Sequence, residues 1–416
     1  MIGMEHHTNR RVVVTGLGVI APNGIGKQAF WQATSSGISG IKRFRRFSDA
    51  DLPIQVGGEV SNFVAEDYIE HKLADRTDRM THFALVSTQE ALQDAGIEMA
   101  HEDPYRVGAV IANTFGGTEY AVEQVNNLYV RGPRTMSAFT SIAWLPVANV
   151  GQVSIRYNIR GYSKVTLNNI VGGLDALGLA YRAIRRGEAD VIIAGGSEAL
   201  LQPYMLLVLS HSGFCAGGND PHAYRPFDRR AAGFLLAEGA GMCILEEYEH
   251  ARRRGASIYA EIAGFGQTND PHRLEQPPIS SRQYARAVSL AMQDAQLPPH
   301  QIGYFSLDGR ALPAFDASEA EALYSIFGSQ MANIAVSVPR TMLGHSFAAA
   351  GALDAITTIL ALQHGIVPPT INCEELDPNY GLDLVRDEPR TLASTAALMG
   401  GRSLTGANAV LALKRI

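Results

Sequence analysis

The sequence predicts an α/β protein with largely buried sheets. Short β-branched runs alternate with amphipathic segments along the whole chain, the strand runs are almost wholly apolar, and 46% of the 416 residues are hydrophobic. Interleaved strands and helices point to a layered architecture, and strands without polar alternation fit sheets covered on both faces. The length is ample for a large core and too great for one small domain. Two halves in one compact body are expected, spanning residues 1–255 and 256–416.

The strand runs are Val12–Val14, Val107–Ala112, Val191–Ala194, Ile258–Ile262, Tyr304–Leu307 and Ile334–Val338. Between them lie helical stretches at His82–Ala95, Leu174–Arg186, Ser280–Ala295, Ala317–Ile326 and Gly351–His364. Ala317, Ala320 and Leu323 recur at three-residue steps on one face of the fourth. A charged helix end from Glu246 to Gly255 precedes the strand at Ile258, which places the division near residue 255.

Gly16-Leu17-Gly18-Val19-Ile20-Ala21 follows the first strand and matches the dinucleotide fingerprint G-x-G-x-x-A. That fingerprint needs a helix to begin at once, so that backbone amides meet the pyrophosphate. Pro22-Asn23-Gly24 stops any helix there, and no acidic residue ends a second strand at the usual distance. A tight turn is the better reading, and a nicotinamide-dependent oxidoreductase is a distant rival.

Composition narrows the partners. A net charge of −6 and the absence of a basic tail give no reason to expect nucleic acid or an anionic membrane. No stretch approaches the roughly 20 apolar residues of a membrane span. The three cysteines, Cys215, Cys243 and Cys373, are scattered and lack metal-ligand spacing, which fits a reducing cytoplasm. His6–His7 is incidental, and neither metal nor cofactor is expected.

Four segments together resemble the β-ketoacyl synthase family of the thiolase fold. They are VVVTGLGVIAPNG at Val12–Gly24, EADVIIAGGSE at Glu188–Glu198, Arg225-Pro226-Phe227-Asp228 running into Ala231–Ala256, and LGHSFAAAGALDAI at Leu343–Ile356. The match is colinear over essentially the whole chain. The resemblance implies two pseudo-repeated halves, five layers (αβαβα) and an obligate dimer. It also implies a reaction: decarboxylative Claisen condensation on acyl carrier protein, with a cysteine thiolate as nucleophile and two histidines stabilising the oxyanion.

Residue by residue, the site implied by the resemblance is degenerate. Counting back from Ala194-Gly195-Gly196, the nucleophile position falls on Ile170, whose side chain has neither a lone pair nor an ionisable proton. The first histidine, in the family's N-A-H-G-T stretch, corresponds to Asp308 of Ser306-Leu307-Asp308-Gly309-Arg310. A carboxylate there would repel a forming oxyanion, so a structural or interface acid is expected. The family's lysine corresponds to Arg340, and its gating phenylalanine to Leu404. His345 matches the second histidine; the plainer reading is a buried histidine held by backbone groups. Cys215 as a displaced nucleophile is set aside, because nothing in its Gly/Asp-rich stretch would lower the thiol pKa.

This pattern resembles the chain length factor of type II polyketide systems. That subunit pairs as a heterodimer with an active ketosynthase and limits the growing polyketide chain. The usual glutamine at the cysteine position is isoleucine here. The segment after Gly116-Gly117 is the tunnel or interface candidate: Ala121, Val125 and Leu128 share one helical face, and Tyr120 and Tyr129 could narrow the tunnel's end. Two alternatives stand beside this reading. One is an active 3-oxoacyl-[acyl-carrier-protein] synthase with atypical residues; the other is a structural partner that only stabilises the active subunit.

Overall fold

The computed structural model describes residues 10–48, 50–271 and 280–416. His6 and His7 lie outside the described residues. In chain order the principal strands of the first half are β1 (Val12–Ala21), β2 (Val107–Ala112), β3 (Ser163–Thr166), β4 (Val191–Glu198) and β5 (Gly239–Glu247). Those of the second half are β6 (Ala260–Asn269), β7 (Tyr304–Ser306), β8 (Ala335–Ser337), β9 (Ala396–Arg402) and β10 (Ala407–Lys414).

The strands run β8-β7-β9-β10-β6-β1-β5-β4-β2-β3. Each half therefore repeats one order: first, fifth, fourth, second, third. The pairings repeat too. β1·β5 and β5·β4 are antiparallel while β4·β2 and β2·β3 are parallel, and β6, β10, β9, β7 and β8 follow the same scheme. The halves join edge to edge through Val12↔Ile262, Val13↔Glu261 and Val14↔Ala260.

The principal helices are α1 (Arg79–Ala95), α2 (Thr118–Arg131), α3 (Gly172–Arg185), α4 (Arg282–Asp294), α5 (Pro313–Phe327) and α6 (Ala348–His364). α1 covers β1 and β5 on one outer side, and α4 covers β6 and β10 on the other. α3 and α6 form the middle layer, packed on each other and on strands of both halves. α6 is buried from Ala348 to Leu362, so it is covered all round rather than amphipathic, with Asp354, Thr357 and Thr358 as its buried polar members. Burying Ile356, Ile359, Leu360 and Leu362 stabilises the fold by about 1.5–3 kcal/mol each. α3 meets α6 closely because Gly173 has no side chain: a Cβ there would lie 2.5 Å from the Ala348 carbonyl oxygen.

Three expectations need correction. Gly16 and Gly18 form no turn; β1 continues through them, with one register shift between Val14 and Gly16, and the turn is at Pro22-Asn23, where Ala21 pairs with Gly24. The glycines are there for packing: a Cβ on Gly18 would sit 1.9 Å from the Ser87 oxygen of α1, and one on Gly16 would sit 2.1 Å from that of Ala91. The charged segment Glu246–Gly255 is not one helix end, since Glu246 and Glu247 close β5 and the helix is Tyr248–Arg253. The second-half strand begins at Ala260 rather than Ile258. Strands β5, β9 and β10 were not legible as strands, because glycine and alanine dilute the β-branched signal on which strand propensity rests, and β3, Ser-Lys-Val-Thr, is too short and too polar to stand out.

Candidate functional site

Ile170 stands where β3 turns into α3. Asn169 adopts φ 52°, the left-handed region that asparagine tolerates better than most residues, and Ile170 follows in a single 3₁₀ turn before Gly172 opens the helix. The turn is tied down by the Thr166 hydroxyl, which donates to the Gly172 carbonyl at 2.9 Å. The Asn168 amide donates to Asp175 at 2.5 Å, and burial pushes that carboxyl up to about 6. The side chain of Ile170 is 1% exposed and belongs to an apolar cluster with Leu206, Phe234, Phe347 and Leu404. At a helix N-terminus the backbone would favour an anion, but a saturated hydrocarbon supplies none.

His345 meets this cluster from the other side. Its ring lies 4.6 Å from that of Phe234 and 5.6 Å from that of Phe347. Its backbone is locked: the N–H donates to Leu235 at 2.7 Å and the carbonyl accepts from Ala237 at 3.1 Å. Nδ1 accepts from the Phe347 N–H at 3.1 Å, which assigns the ring proton to Nε2. Burial, then the charges of Arg340 and Arg310, hold the ring well below its usual pKa, so it is neutral. Nε2 has no hydrogen-bond partner among the described residues. His345 is thus buried with its backbone and Nδ1 paired, and one donor is left free.

Asp308 is the centre of a buried ion network. Its Oδ2 accepts from Arg310 Nε at 2.8 Å, and its Oδ1 lies 3.3 Å from Arg340 Nη1. Arg340 Nη2 pairs with Asp354, so the guanidinium is clamped between two acids. Burial opposes the Arg340 charge, but Asp354 and Asp308 hold its pKa above the ordinary range. Around the network, burial pushes Asp316 up to about 8 and raises Glu319. Glu319 accepts from the Asp308 and Gly309 N–H groups, both at 2.9 Å, which fixes the loop carrying Asp308. Arg310 and Asp354 are the members that motif reading missed. Arg310 lay inside the quoted Ser306–Arg310 run, but nothing local marks Asp354 as its neighbour's partner.

Leu404 is 8% exposed and packs in the Ile170 cluster. Cys215 packs against that cluster too, and burial pushes its thiol up to about 12, far from a nucleophile's range. The fold thus gathers Ile170, His345 and Leu404 into one apolar centre, with Asp308 and Arg340 in the ion network beside it.

The segment after Gly116-Gly117 is helical, as α2, and lies apart from this centre. Tyr120 is buried, its hydroxyl donating to Ser137 Oγ at 3.0 Å. Ala121 and Leu128 are half-buried, Val125 is 46% exposed and Tyr129 is 83% exposed. The two tyrosines therefore occupy different environments. Further exposed apolar residues, Ile142, Trp144, Val147 and Leu167, lie between α2 and the start of α3, the part of the chain that also holds β3. β3 is a sheet edge paired only with β2 among the described residues.

Residues 9–251 match the model of the β-ketoacyl synthase N-terminal domain, and residues 259–374 that of the C-terminal domain. The chain is 40% identical over 406 residues to the tetracenomycin polyketide synthase ketoacyl synthase beta subunit of Streptomyces glaucescens, covering 97% of this chain and 98% of that one. It is 35% identical over 419 residues to 3-oxoacyl-[acyl-carrier-protein] synthase 2 of Synechocystis sp., covering 99% and 100%. Among solved structures it is similar to the ishigamide ketosynthase/chain length factor, with TM-score 0.91, 28% identity and coverage of 98% and 99%. It is also similar to a type II polyketide ketosynthase in complex with its acyl-carrier protein and bound to the hexaketide, with TM-score 0.89, 29% identity and coverage of 98% and 100%. The chain belongs to the β-ketoacyl synthase family.

Proposed function

We propose that this chain is the chain length factor of a heterodimeric type II polyketide ketosynthase: a subunit that shapes the acyl tunnel and limits the product while its partner performs the condensation. One observation carries the reading: Ile170 occupies the turn before α3, sealed in hydrocarbon at 1% exposure. Asp308, at the position of the first histidine, is spent on Arg310 and Arg340. A site with an alkyl group at the nucleophile position, with its neighbouring thiol, Cys215, kept protonated by burial, and with a carboxylate beside any forming oxyanion, has no route to an acyl-enzyme. The strands and helices that frame the site are all in place.

The partners are an active ketosynthase α subunit, acyl carrier protein and the growing polyketide chain, in the cytoplasm. Support comes from the relative named as a ketoacyl synthase beta subunit and from the similar ketosynthase/chain length factor. The exposed apolar residues around α2 and the free edge of β3 fit a surface covered by another subunit. The two halves divide at 255/256.

The test is reconstitution with the active ketosynthase, carrier protein and malonyl thioester. Polyketide forms only when both subunits are present, and intact mass places the acyl adduct on the partner. A stable acyl adduct on this chain purified alone would sink the proposal and favour an active synthase.

A further inference from the structure

We infer that Asp78 is the positioning residue of α2, and through it of the product length; the inference rests on the chain-length role proposed above and on α2, the tunnel or interface candidate, being the element that exerts it. Asp78 is 1% exposed and serves two helices with one carboxylate. Oδ1 accepts from the Met80 N–H at 2.8 Å, an ordinary cap for α1. Oδ2 accepts from the Tyr120 N–H, also at 2.8 Å, which is one of the orphan donors in the first turn of α2.

α2 has no cap of its own, because the residue before it is Gly117. That glycine also permits the approach, since a Cβ on it would lie 2.7 Å from the Asp78 Cβ. A second tie reaches the same turn. Arg46 pairs with Glu119 and, at 3.3 Å, with buried Glu238, which Arg79 grips at 2.8 Å. Beyond the first two turns Val125, Tyr129 and Val130 are exposed, the Thr135 hydroxyl donates to the Asn127 carbonyl at 3.1 Å, and Gly132 ends the helix. Val125 lies about 7.5 Å and Leu128 about 12 Å along the axis from Tyr120, so their positions follow from how that first turn is anchored. Burial pushes the Asp78 carboxyl up to about 7, so the charge is costly where it stands. A cap alone would not need it, because serine caps as well.

That difference provides the test. Asp78→Ser retains the cap on α1 but has one short oxygen and cannot also reach Tyr120. In the reconstituted complex, amides 119–121 are expected to exchange about tenfold faster, while those of α1 are unchanged. The product is expected to spread over more than one chain length. Glu119→Gln, which weakens the Arg46 tie and leaves both Asp78 hydrogen bonds in place, should spread it less. A single unchanged product with Asp78→Ser, in a complex where Val125→Phe does shift length, overturns the inference. If neither variant changes the product, the reading of α2 as the length-setting element falls, and this inference falls with it.

Discussion

Arg340 Nη1 lies 3.3 Å from Asp308 Oδ1, with both side chains almost completely buried. In an active family member these positions would hold a lysine and an imidazole poised for chemistry. Here they form an ion pair that Arg310 and Asp354 extend on either side. Buried pairs of this kind add little to stability over a hydrophobic replacement, but breaking one by removing a single partner is severe.

Replacing Asp308 by histidine, the residue that the resemblance would restore, is therefore expected to harm the fold. Two guanidinium groups would lose their shared carboxylate, at a cost of about 3–5 kcal/mol. Denaturant unfolding of the purified complex measures it. A cost under about 1 kcal/mol, the range of exposed pairs, would show that the network is not what holds this loop.

Ile170→Cys is expected to remain chemically silent. The helix N-terminus would lower the thiol pKa, but the apolar surroundings raise it, as burial does for Cys215 and Cys243, both pushed up to about 12. Intact mass after incubation with acyl carrier protein thioesters and with iodoacetamide near pH 8 should show no adduct at this position. Rapid labelling by either reagent would mean that the helix terminus outweighs burial.

Val125 and Leu128 are the positions where side-chain size should be read out as product length. Phenylalanine at either is expected to shorten the dominant product, and alanine to lengthen it, with modest effects on stability because Val125 is half in solvent. Mass spectrometry of reconstituted product mixtures decides. Identical distributions across all four variants would remove α2 from the tunnel.

His250 supplies a pH dependence. Nδ1 lies 2.8 Å from Glu246 and Nε2 lies 3.1 Å from Glu102. The Glu246 hydrogen bond raises the imidazole pKa against burial, with Glu102 helping. A raised folded pKa means that the protonated ring stabilises the fold fully below about 6.5, the free histidine value. That stability fades as pH rises through the folded value. His250→Gln should therefore cost more stability at pH 6 than at pH 9 in matched denaturant titrations; an equal cost at both would exclude the charged pair.

Much of the frame was readable because its signals are local. The strand at Val107–Ala112 and the helix core at Leu174–Arg185 announce themselves through apolar composition and period. The GLGVIA run misled for the opposite reason: a glycine within a strand looks like a turn until the helix that presses on it, at Ser87 and Ala91, is in place. Tyr120 and Tyr129 looked equivalent as neighbours on one segment, yet one is bonded to Ser137 and the other faces solvent.

What the sequence determined by itself is the chemistry of each position: family membership through colinear motifs, and an alkyl group at Ile170, because covalent identity does not depend on folding. What only the tertiary structure decided is who meets whom. Residues 170, 345 and 404 converge on one apolar centre, Asp308 acquires two arginines and Asp78 joins two helices. Apart from the neighbouring Asp308 and Arg310, those relations span tens to hundreds of residues, and side-chain packing at that separation leaves no period or spacing along the chain to read.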